Sequence, residues 1–258
     1  MNHLLKTCFI AALVMSGTAQ AAISDNFNDG NDSGWTHYDP LAAFGLSGSY
    51  AFPNGGYRIQ AAANPAAPQL GPARAGSFRA DENFSDFSVS ADVSDWSTSG
   101  DQSVAVIARG QNPGLGTTSG YGLVFCSSAC GLFLNRFDGE LGIPIGNVAP
   151  VSLTAGESYR LVFTGVGSTL TGQIFSTADL NTPLGTVTAN DSAYAAGLTG
   201  LLVSANANRA GQALDPSTIP AATFDNFSAT AAPVPLPAAA WLMVSGLLGL
   251  ARFARPRG

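Results

Sequence analysis

The feature of this sequence that most constrains its fold is the strict alternation of apolar and polar residues between Phe87 and Ser94. Odd-numbered positions from Phe87 to Val93 are apolar, and the positions between them are serine or aspartate. Side chains point alternately to the two faces of an extended strand, so this pattern predicts one face in a core and one in water. Most of residues 24–230 follow the same period of two, punctuated by glycine, proline, asparagine and serine, with hardly any helical periodicity.

Two pairs of segments read as hairpins: residues 121–126 with 131–137, and residues 158–165 with 169–175. Residues 103–109 are more apolar on both faces, as expected of a central strand, whereas residues 30–56 are rich in Gly, Asp and Pro and predict mostly loop. About eleven to thirteen strands without crossover helices predict an all-β, antiparallel two-sheet jelly-roll sandwich.

Both ends of the chain read as targeting segments. Residues 1–21 have a short basic start at Lys6, an apolar stretch over 8–15 and the small-x-small sequence Ala19-Gln20-Ala21, which is typical of a secretory signal peptide with a signal helix. A buried N-terminal helix is the alternative. Removing this segment and the C-terminal tail leaves a single β-sandwich domain at residues 22–232.

The tail, residues 233–258, has the order of a sorting signal: a proline-spaced motif, an apolar run and a basic end. The apolar helix predicted for residues 238–251 would reach about 21 Å against a hydrocarbon core of about 30 Å. It is therefore short for a transmembrane segment and reads as a transient address; a permanent, uncut anchor is the alternative. The motif is Val234, Pro235, Leu236, Pro237 and Ala238, and the basic end is Arg252, Arg255 and Arg257.

The charge of the chain limits the partners that it can bind, and its cysteines indicate the compartment in which it works. Residues 22–232 contain all 17 acidic residues but seven basic ones, a net charge of −10, which should repel nucleic acid and anionic membranes. After Cys8 leaves with the signal peptide, Cys126 and Cys130 remain and predict a disulfide in an exported protein. A metal or redox pair is the alternative, although the mature chain has one histidine, His37, to contribute.

The body resembles the concanavalin A-like, laminin-G-like jelly roll of bacterial secreted proteins. That resemblance implies the fold and leaves the function open, because the fold serves lectins, glycosidases and adhesion modules. The segments that carry it are Asp25-Asn26-Phe27, residues 87–93, 106–109, 121–125, 159–163 and 200–203, and Phe224-Asp225-Asn226-Phe227.

The tail resembles the PEP-CTERM family of sorting signals in its VPLPA-type variant, with Leu236 between the two prolines. The resemblance implies export across the inner membrane by signal peptidase, a membrane-anchored precursor, and recognition by an exosortase-type transpeptidase. It also implies a final place at the cell surface or outside the cell, in bacteria that make extracellular polysaccharide.

A structural calcium ion is the cofactor that the sequence suggests. Calcium prefers carboxylate, amide and carbonyl oxygens, and the sequence Asp-Asn-Phe occurs at both ends of the body. If the first and last strands are neighbours, their carboxylates meet; the resemblance singles out Asp225, with Asp25 as its partner. Alternatively, both aspartates cap turns and pair with arginines.

Catalytic equipment is sparse in this sequence. A glycosidase needs two carboxylates in one cleft, and Glu82, Glu140 and Glu157 occur in three separate contexts. His37 lacks a Gly-x-Ser-x-Gly partner and reads as an exposed loop histidine. We therefore expect no catalytic residues and a non-enzymatic matrix, adhesive or polysaccharide-contacting role; a divergent polysaccharide hydrolase or lyase is the alternative.

Sugar binding requires aromatic and planar polar side chains on an open face of the sandwich. Trp96, Arg109 and Tyr121 are the candidates, because strands or strand ends would present them rigidly. The alternative is structural: Tyr121 packs in the core, Trp96 closes one end and Arg109 pairs with an acid.

Overall fold

The computed structural model describes residues 22–66, 69–96, 102–127, 130–205 and 219–232. These residues form two antiparallel sheets packed face to face, as predicted. Within the described part of the chain, no helix is long and apolar enough to cross a membrane. The predicted signal segment and the whole sorting tail lie outside these residues.

The described residues form fifteen strands and two short 3-10 turns, at Ala42–Phe44 and Pro53–Gly55. The strands are β1 Ile23–Asp25, β2 Trp35–Tyr38, β3 Ser49–Ala51, β4 Tyr57–Gln60, β5 Arg74–Phe84, β6 Phe87–Ser94, β7 Gln102–Gln111, β8 Ser119–Cys126, β9 Gly131–Asp138, β10 Leu141–Ala149, β11 Tyr159–Val166, β12 Thr169–Ser176, β13 Gly185–Asn190, β14 Gly197–Ala205 and β15 Ala221–Ala231.

The strands divide into an eight-stranded sheet, sheet A, and a seven-stranded sheet, sheet B. Sheet A has the order β13-β12-β11-β6-β15-β4-β3, with β1 paired to β15, and sheet B has the order β10-β9-β8-β7-β14-β5-β2. Apolar side chains from the two inner faces form one core, in which Phe163 of β11 meets Phe87 edge to face at 4.9 Å. Burial of these large side chains is the main driving force for the sandwich.

The alternating pattern at Phe87 has the predicted consequence. In β6 the four apolar positions are buried and the four polar positions are partly exposed. Both predicted hairpins are also present, as β8 with β9 and β11 with β12. The first strand, β1, pairs with the last strand, β15, and Asp25 lies opposite Phe227. The calcium hypothesis for the two Asp-Asn-Phe segments requires this pairing.

Four strands depart from the sequence prediction. Strands β2 and β3 lie in the segment predicted as mostly loop, and β10 and β13 were not expected. All four are outermost strands of their sheets, where one side of the backbone needs no partner. An edge strand tolerates glycine and proline, so Pro144 in β10 obscured the signal.

The edge strands β10 and β13 of the two sheets meet and close one side of the sandwich. Asn147 of β10 links the two strands, because its Oδ1 accepts a hydrogen bond of 2.8 Å from the Thr188 backbone N–H of β13. Its Nδ2 donates to the Thr186 carbonyl at 3.5 Å. A side-chain amide thus substitutes for a strand partner along this edge.

The predicted disulfide fits the turn between β8 and β9. The Cα atoms of Cys126 and Cys130 are 5.8 Å apart, a separation that a disulfide spans. Both residues are buried on the outer face of sheet B, beside Val124 and Phe133. The bond would close a loop too short to restrict the unfolded chain by more than about 2 kcal/mol, so its effect would be local.

Candidate functional site

The three residues predicted to contact carbohydrate are interior residues, and this corrects the sequence interpretation. Trp96 is 7%, Arg109 2% and Tyr121 0% exposed. Trp96 packs edge to face on Phe125 and donates from Nε1 to the Glu157 carbonyl. Tyr121 donates from Oη to Asp191 at 2.6 Å. None of the three presents a surface to a sugar, and the structural alternative describes them correctly.

Arg109 holds three turns together at one end of the sandwich. It donates to the backbone carbonyls of Ser85, Gly167 and Tyr194 at 2.7, 2.8 and 3.1 Å. Burial lowers the pKa of this guanidinium, and the Asp86 carboxylate 3.7 Å away opposes that effect. Its charge is therefore used within the fold and is not offered to a ligand.

A cavity lies instead on the outer face of sheet B, the face turned away from the core. Its volume is about 80 Å³, below the roughly 300–1,000 Å³ that is usual for small-molecule sites. Most of its lining is apolar. The floor consists of Phe78, Ala105, Ile107, Val124, Phe133, Phe137 and Leu202.

A polar cluster, which we call the clasp, consists of Tyr38, Arg74, Gly116 and Glu140. Its three side chains form one wall of the cavity, while Gly116 lines a second pocket that also borders Arg74 and Glu140. Arg74 binds Glu140 through two parallel hydrogen bonds, Nε to Oε1 at 2.9 Å and Nη2 to Oε2 at 2.8 Å. A two-point guanidinium–carboxylate contact is strong and fixes geometry. The side chains of Arg74 and Glu140 are 8% and 13% exposed, so water screens the pair weakly.

The clasp joins parts of sheet B that are far apart in strand order. Arg74 is on β5 and Glu140 follows β9, with three strands between them. Four steps of about 4.8 Å would separate them by roughly 19 Å in a flat sheet. Sheet B therefore curves toward this face, and the turn after β9 reaches over the cavity to contact β5.

Two further contacts lock Glu140 in the clasp. Tyr38 donates its hydroxyl hydrogen to Oε1, and the Gly116 backbone N–H donates to Oε2 at 2.5 Å. Burial raises the pKa of Tyr38 well above its usual range, and the adjacent carboxylate raises it further, so Tyr38 remains a donor. Burial opposes the charge on Arg74, but the bonds to Glu140 leave its pKa above the ordinary value.

One polar atom in the cavity is unsatisfied. The Oδ1 atom of Asn135, on β9, is shielded from solvent and has no hydrogen-bond partner in the described structure. The side chain lines the cavity and packs over Gly142, where an added Cβ would lie 2.6 Å from Nδ2. A buried acceptor without a donor carries a cost of about 1–3 kcal/mol, so this amide is a place where a ligand would gain a bond.

The two predicted calcium ligands have protein partners. Asp25 accepts from the Phe27 backbone N–H at 2.9 Å and from Trp35 Nε1 at 2.8 Å. Asp225 accepts from the Asn226 backbone N–H at 2.6 Å. Burial raises the pKa of Asp225, and so does the neighbouring carboxylate of Asp92, which itself pairs with an arginine.

No cluster of three or more metal-binding side chains occurs among the described residues. The alternative, in which both aspartates cap turns and pair with arginines, holds in part: both accept a neighbouring backbone N–H, but within the described residues an arginine lies within 4.0 Å of Asp25 and not of Asp225. Asp25 is 4.0 Å from Arg79, and Arg160 binds Asp92 at 2.6 Å.

His37 lies on strand β2, where the sequence predicted a loop. Its Nε2 is 2.5 Å from Asp32 Oδ2, and its ring stacks on Tyr50 with the centroids 3.6 Å apart. Ser77 reaches the same carboxylate only through the Tyr57 hydroxyl. His37 and Ser77 face each other in the β2–β5 pairing, but their observed side-chain hydrogen bonds go to Asp32 and Tyr57. The stacking of His37 on Tyr50 ties β2 to β3.

Sequence reasoning missed the clasp because its members are remote in the chain. Tyr38 and Glu140 are 102 residues apart, and Arg74 and Glu140 are 66 apart. The sequence around each residue lacks a local motif, and Tyr38 falls in the segment predicted as loop. Strand order and sheet curvature bring them together, and neither can be read from alternation alone.

The sandwich, its strand arrangement and the cavity on one outer face define the class: an all-β jelly roll of the concanavalin A-like type. No protein-family model matches the sequence, and no curated protein sequence matches it. The fold likeness comes from solved structures alone.

The similar structures include a carbohydrate-binding module, a glucanase and a glycan-bound domain. A carbohydrate-binding module, CBM66 from Bacillus subtilis, aligns with a TM-score of 0.52 at 16% identity over 78% of this chain and 97% of its own. A β-1,3-1,4-glucanase derived from a mouse hindgut metagenome gives 0.58 at 12% over 83% and 100%. The exoplasmic domain of VIP36, bound to Ca²⁺ and Man3GlcNAc, gives 0.53 at 10% over 82% and 89%. At these identities the likeness establishes the fold alone.

Proposed function

We propose that this chain is an exported, non-enzymatic β-sandwich protein that contacts polysaccharide through the cavity on the outer face of sheet B. The observation that carries the proposal is the cavity itself, with the partly exposed ring of Phe137 on its floor and a polar wall. Aromatic rings pack against the apolar faces of sugars, while polar groups orient hydroxyls. The fold shared with a carbohydrate-binding module and with a domain solved with bound Man3GlcNAc supports the same function.

Binding is tested by affinity electrophoresis of the purified full chain in gels containing one polysaccharide each. Suitable polymers are β-1,3-1,4-glucan, levan, dextran, galactomannan and alginate. Retardation by at least one polymer is the expected result, and its loss in Phe137→Ala would assign binding to the cavity. If none of these polymers slows the protein, the proposed function is wrong.

A hydrolase or lyase is the alternative, and the glucanase among the similar structures keeps it open. Among the described residues that line the cavity, Glu140 is the one carboxylate, and Arg74 holds both of its oxygens. A glycosidase uses two carboxylates, as acid and as base or nucleophile. Incubation with the same polymers should release no new reducing ends or unsaturated products, and release that Glu140→Gln abolishes would favour the enzyme.

We further propose that the chain is exported and handled by an exosortase-type enzyme. This proposal depends on residues 1–21 and 233–258 and on their resemblance to a signal peptide and a PEP-CTERM signal. Mass spectrometry of the mature protein tests it directly. We expect a new N-terminus at Ala22 and a C-terminus near Pro237-Ala238; an intact tail on the mature surface protein would instead indicate a permanent anchor.

A further inference from the structure

We propose that the cavity takes one uncharged sugar unit at the end of a glycan chain, and that Asn135 Oδ1 accepts a hydrogen bond from one of its hydroxyls. The inference rests on the proposed polysaccharide contact and adds the chemical class, the mode of entry and the anchoring residue. Three separate observations support it.

The first observation is the unsatisfied acceptor. Asn135 Oδ1 is shielded from water and lacks a donor among the described residues. Gly142 bounds the amide on one side, where an added Cβ would lie 2.6 Å from Nδ2. A sugar hydroxyl is a donor of the right kind, and binding it would satisfy an atom that is costly to leave buried and unpaired.

The second observation is that the cavity contains no uncompensated charge from the described residues. Arg74 and Glu140 are its charged lining residues, and they neutralise each other. The remaining Arg74 terminal nitrogen, Nη1, donates to the backbone carbonyls of Leu70 and Pro72 at 2.9 and 2.8 Å. A uronate would have to displace Glu140 to reach the guanidinium, and the acidic body would repel it. An uncharged sugar meets neither obstacle.

The third observation is the shape of the cavity. The clasp and the segment before β5 wall the cavity at the point where Glu140 contacts β5, so the outer face is not an open trough from edge to edge. A long chain lying across sheet B would have to pass through the Arg74–Glu140 contact. A terminal sugar needs only the open side.

The test compares the full chain with Asn135→Leu, using the four neutral polymers and alginate, each intact and after partial hydrolysis. We expect binding to at least one neutral polymer, binding per unit mass that rises with the number of chain ends, and about tenfold weaker binding in Asn135→Leu. Asn190→Leu, on the exposed side of β13, is the matched control and should bind as wild type.

Thermal unfolding separates a ligand-binding asparagine from a structural one. Because leucine removes an unsatisfied buried acceptor, Asn135→Leu should unfold at the same temperature as wild type or higher, while a structural role predicts a lower temperature. Gly142→Ala displaces the amide without removing it and should also weaken binding.

Each contrary result has a distinct meaning. Binding to alginate alone, or equal binding per unit mass before and after hydrolysis, overturns this inference but leaves polysaccharide contact intact. Unchanged affinity in Asn135→Leu removes the anchoring residue. Absence of binding to all five polymers overturns the proposed function together with this inference.

Discussion

Strands β6 and β7 lie near the middle of their sheets, yet they differ in how they are buried. Strand β6 alternates buried and half-exposed positions along its whole length. Strand β7 is buried at every position from Gln102 to Gly110. In a two-layer sandwich, packing of the two sheets buries one face of each strand. This packing does not explain why the other face of β7 is buried as well.

That second face belongs to the outer side of sheet B, which the clasp crosses at one end. Apolar side chains on the outer face form their own cluster, separate from the main core, and the clasp borders the cavity above them. Sheet A has polar side chains at the corresponding positions of β6, and β11 alternates there between polar and valine side chains. The comparison indicates that sheet B has apolar area beyond what the sandwich core needs, which is the property expected of a ligand site.

The largest predicted effect contrasts two phenylalanines. Phe163 is fully buried between the sheets, and its change to Ala should lower the free energy of unfolding by about 3–5 kcal/mol. Phe137 is half-buried on the cavity floor, and Phe137→Ala should cost no more than about 2 kcal/mol while abolishing polysaccharide binding. Urea unfolding measures the loss of stability, and affinity electrophoresis measures polysaccharide binding. An equal loss of stability in both variants would indicate that the outer face of sheet B is a second core.

The next effect concerns the clasp. Glu140→Gln leaves the Arg74 guanidinium poorly compensated in a nearly dry site and should cost about 3 kcal/mol of stability. The freed positive charge should also give the variant a new affinity for alginate. Urea unfolding measures the first effect and gel retardation the second.

Glu157→Gln is the control for the clasp variant, because Glu157 is exposed and contacts Trp96 through its backbone carbonyl. It should match wild type in both assays. If Glu140→Gln is equally stable to wild type, the clasp does not hold the curvature of sheet B.

A smaller, pH-dependent effect is expected where the two sheets are linked by Asp191. This residue follows β13 of sheet A and accepts from Tyr121 at 2.6 Å and Arg136 at 2.8 Å, both in sheet B. Burial alone would raise the pKa of Asp191, but these bonds and one from the Ala193 backbone N–H outweigh it, so the net pKa lies below the usual value.

A carboxyl with a lowered pKa in the folded state stabilises the protein above its unfolded pKa, and that stabilisation is lost as pH falls through the folded pKa. Asp191→Asn should therefore be less stable than wild type by about 1–3 kcal/mol at neutral pH, and the difference should shrink below about pH 4. Urea unfolding as a function of pH measures this, with the exposed Asp29→Asn as control. A difference that does not change with pH would rule out the ionised link.

The smallest predicted effect concerns calcium. Asp25 and Asp225 already accept hydrogen bonds from protein donors. We therefore expect the melting temperature of the chain to be the same in excess Ca²⁺ and in excess chelator. A stabilisation by Ca²⁺ that Asp225→Asn abolishes would instead show that this residue binds the ion.

Local pattern predicted much of the fold and little of the site. The strand at Phe87 and the hairpin that begins at Tyr121 were predicted correctly, because the signal for each lies in residues that are close together in the sequence. The first and last strands pair, which was the condition set for Asp25 and Asp225, but the repeated sequence did not reveal what their carboxylates contact. Trp96 and Arg109 were misjudged because chemical type does not reveal burial, and the clasp depends on curvature that accumulates over several strands.

The link made by Asn147 has a consequence for how this protein meets others of its kind. Unpaired strand edges recruit further strands and lead to aggregation. Here β10 and β13 occupy each other's edges, and the opposite edges β2 and β3 are only four and three residues long. The described body therefore offers little template for strand-by-strand polymerisation, and the chain should remain dispersed at high protein concentration.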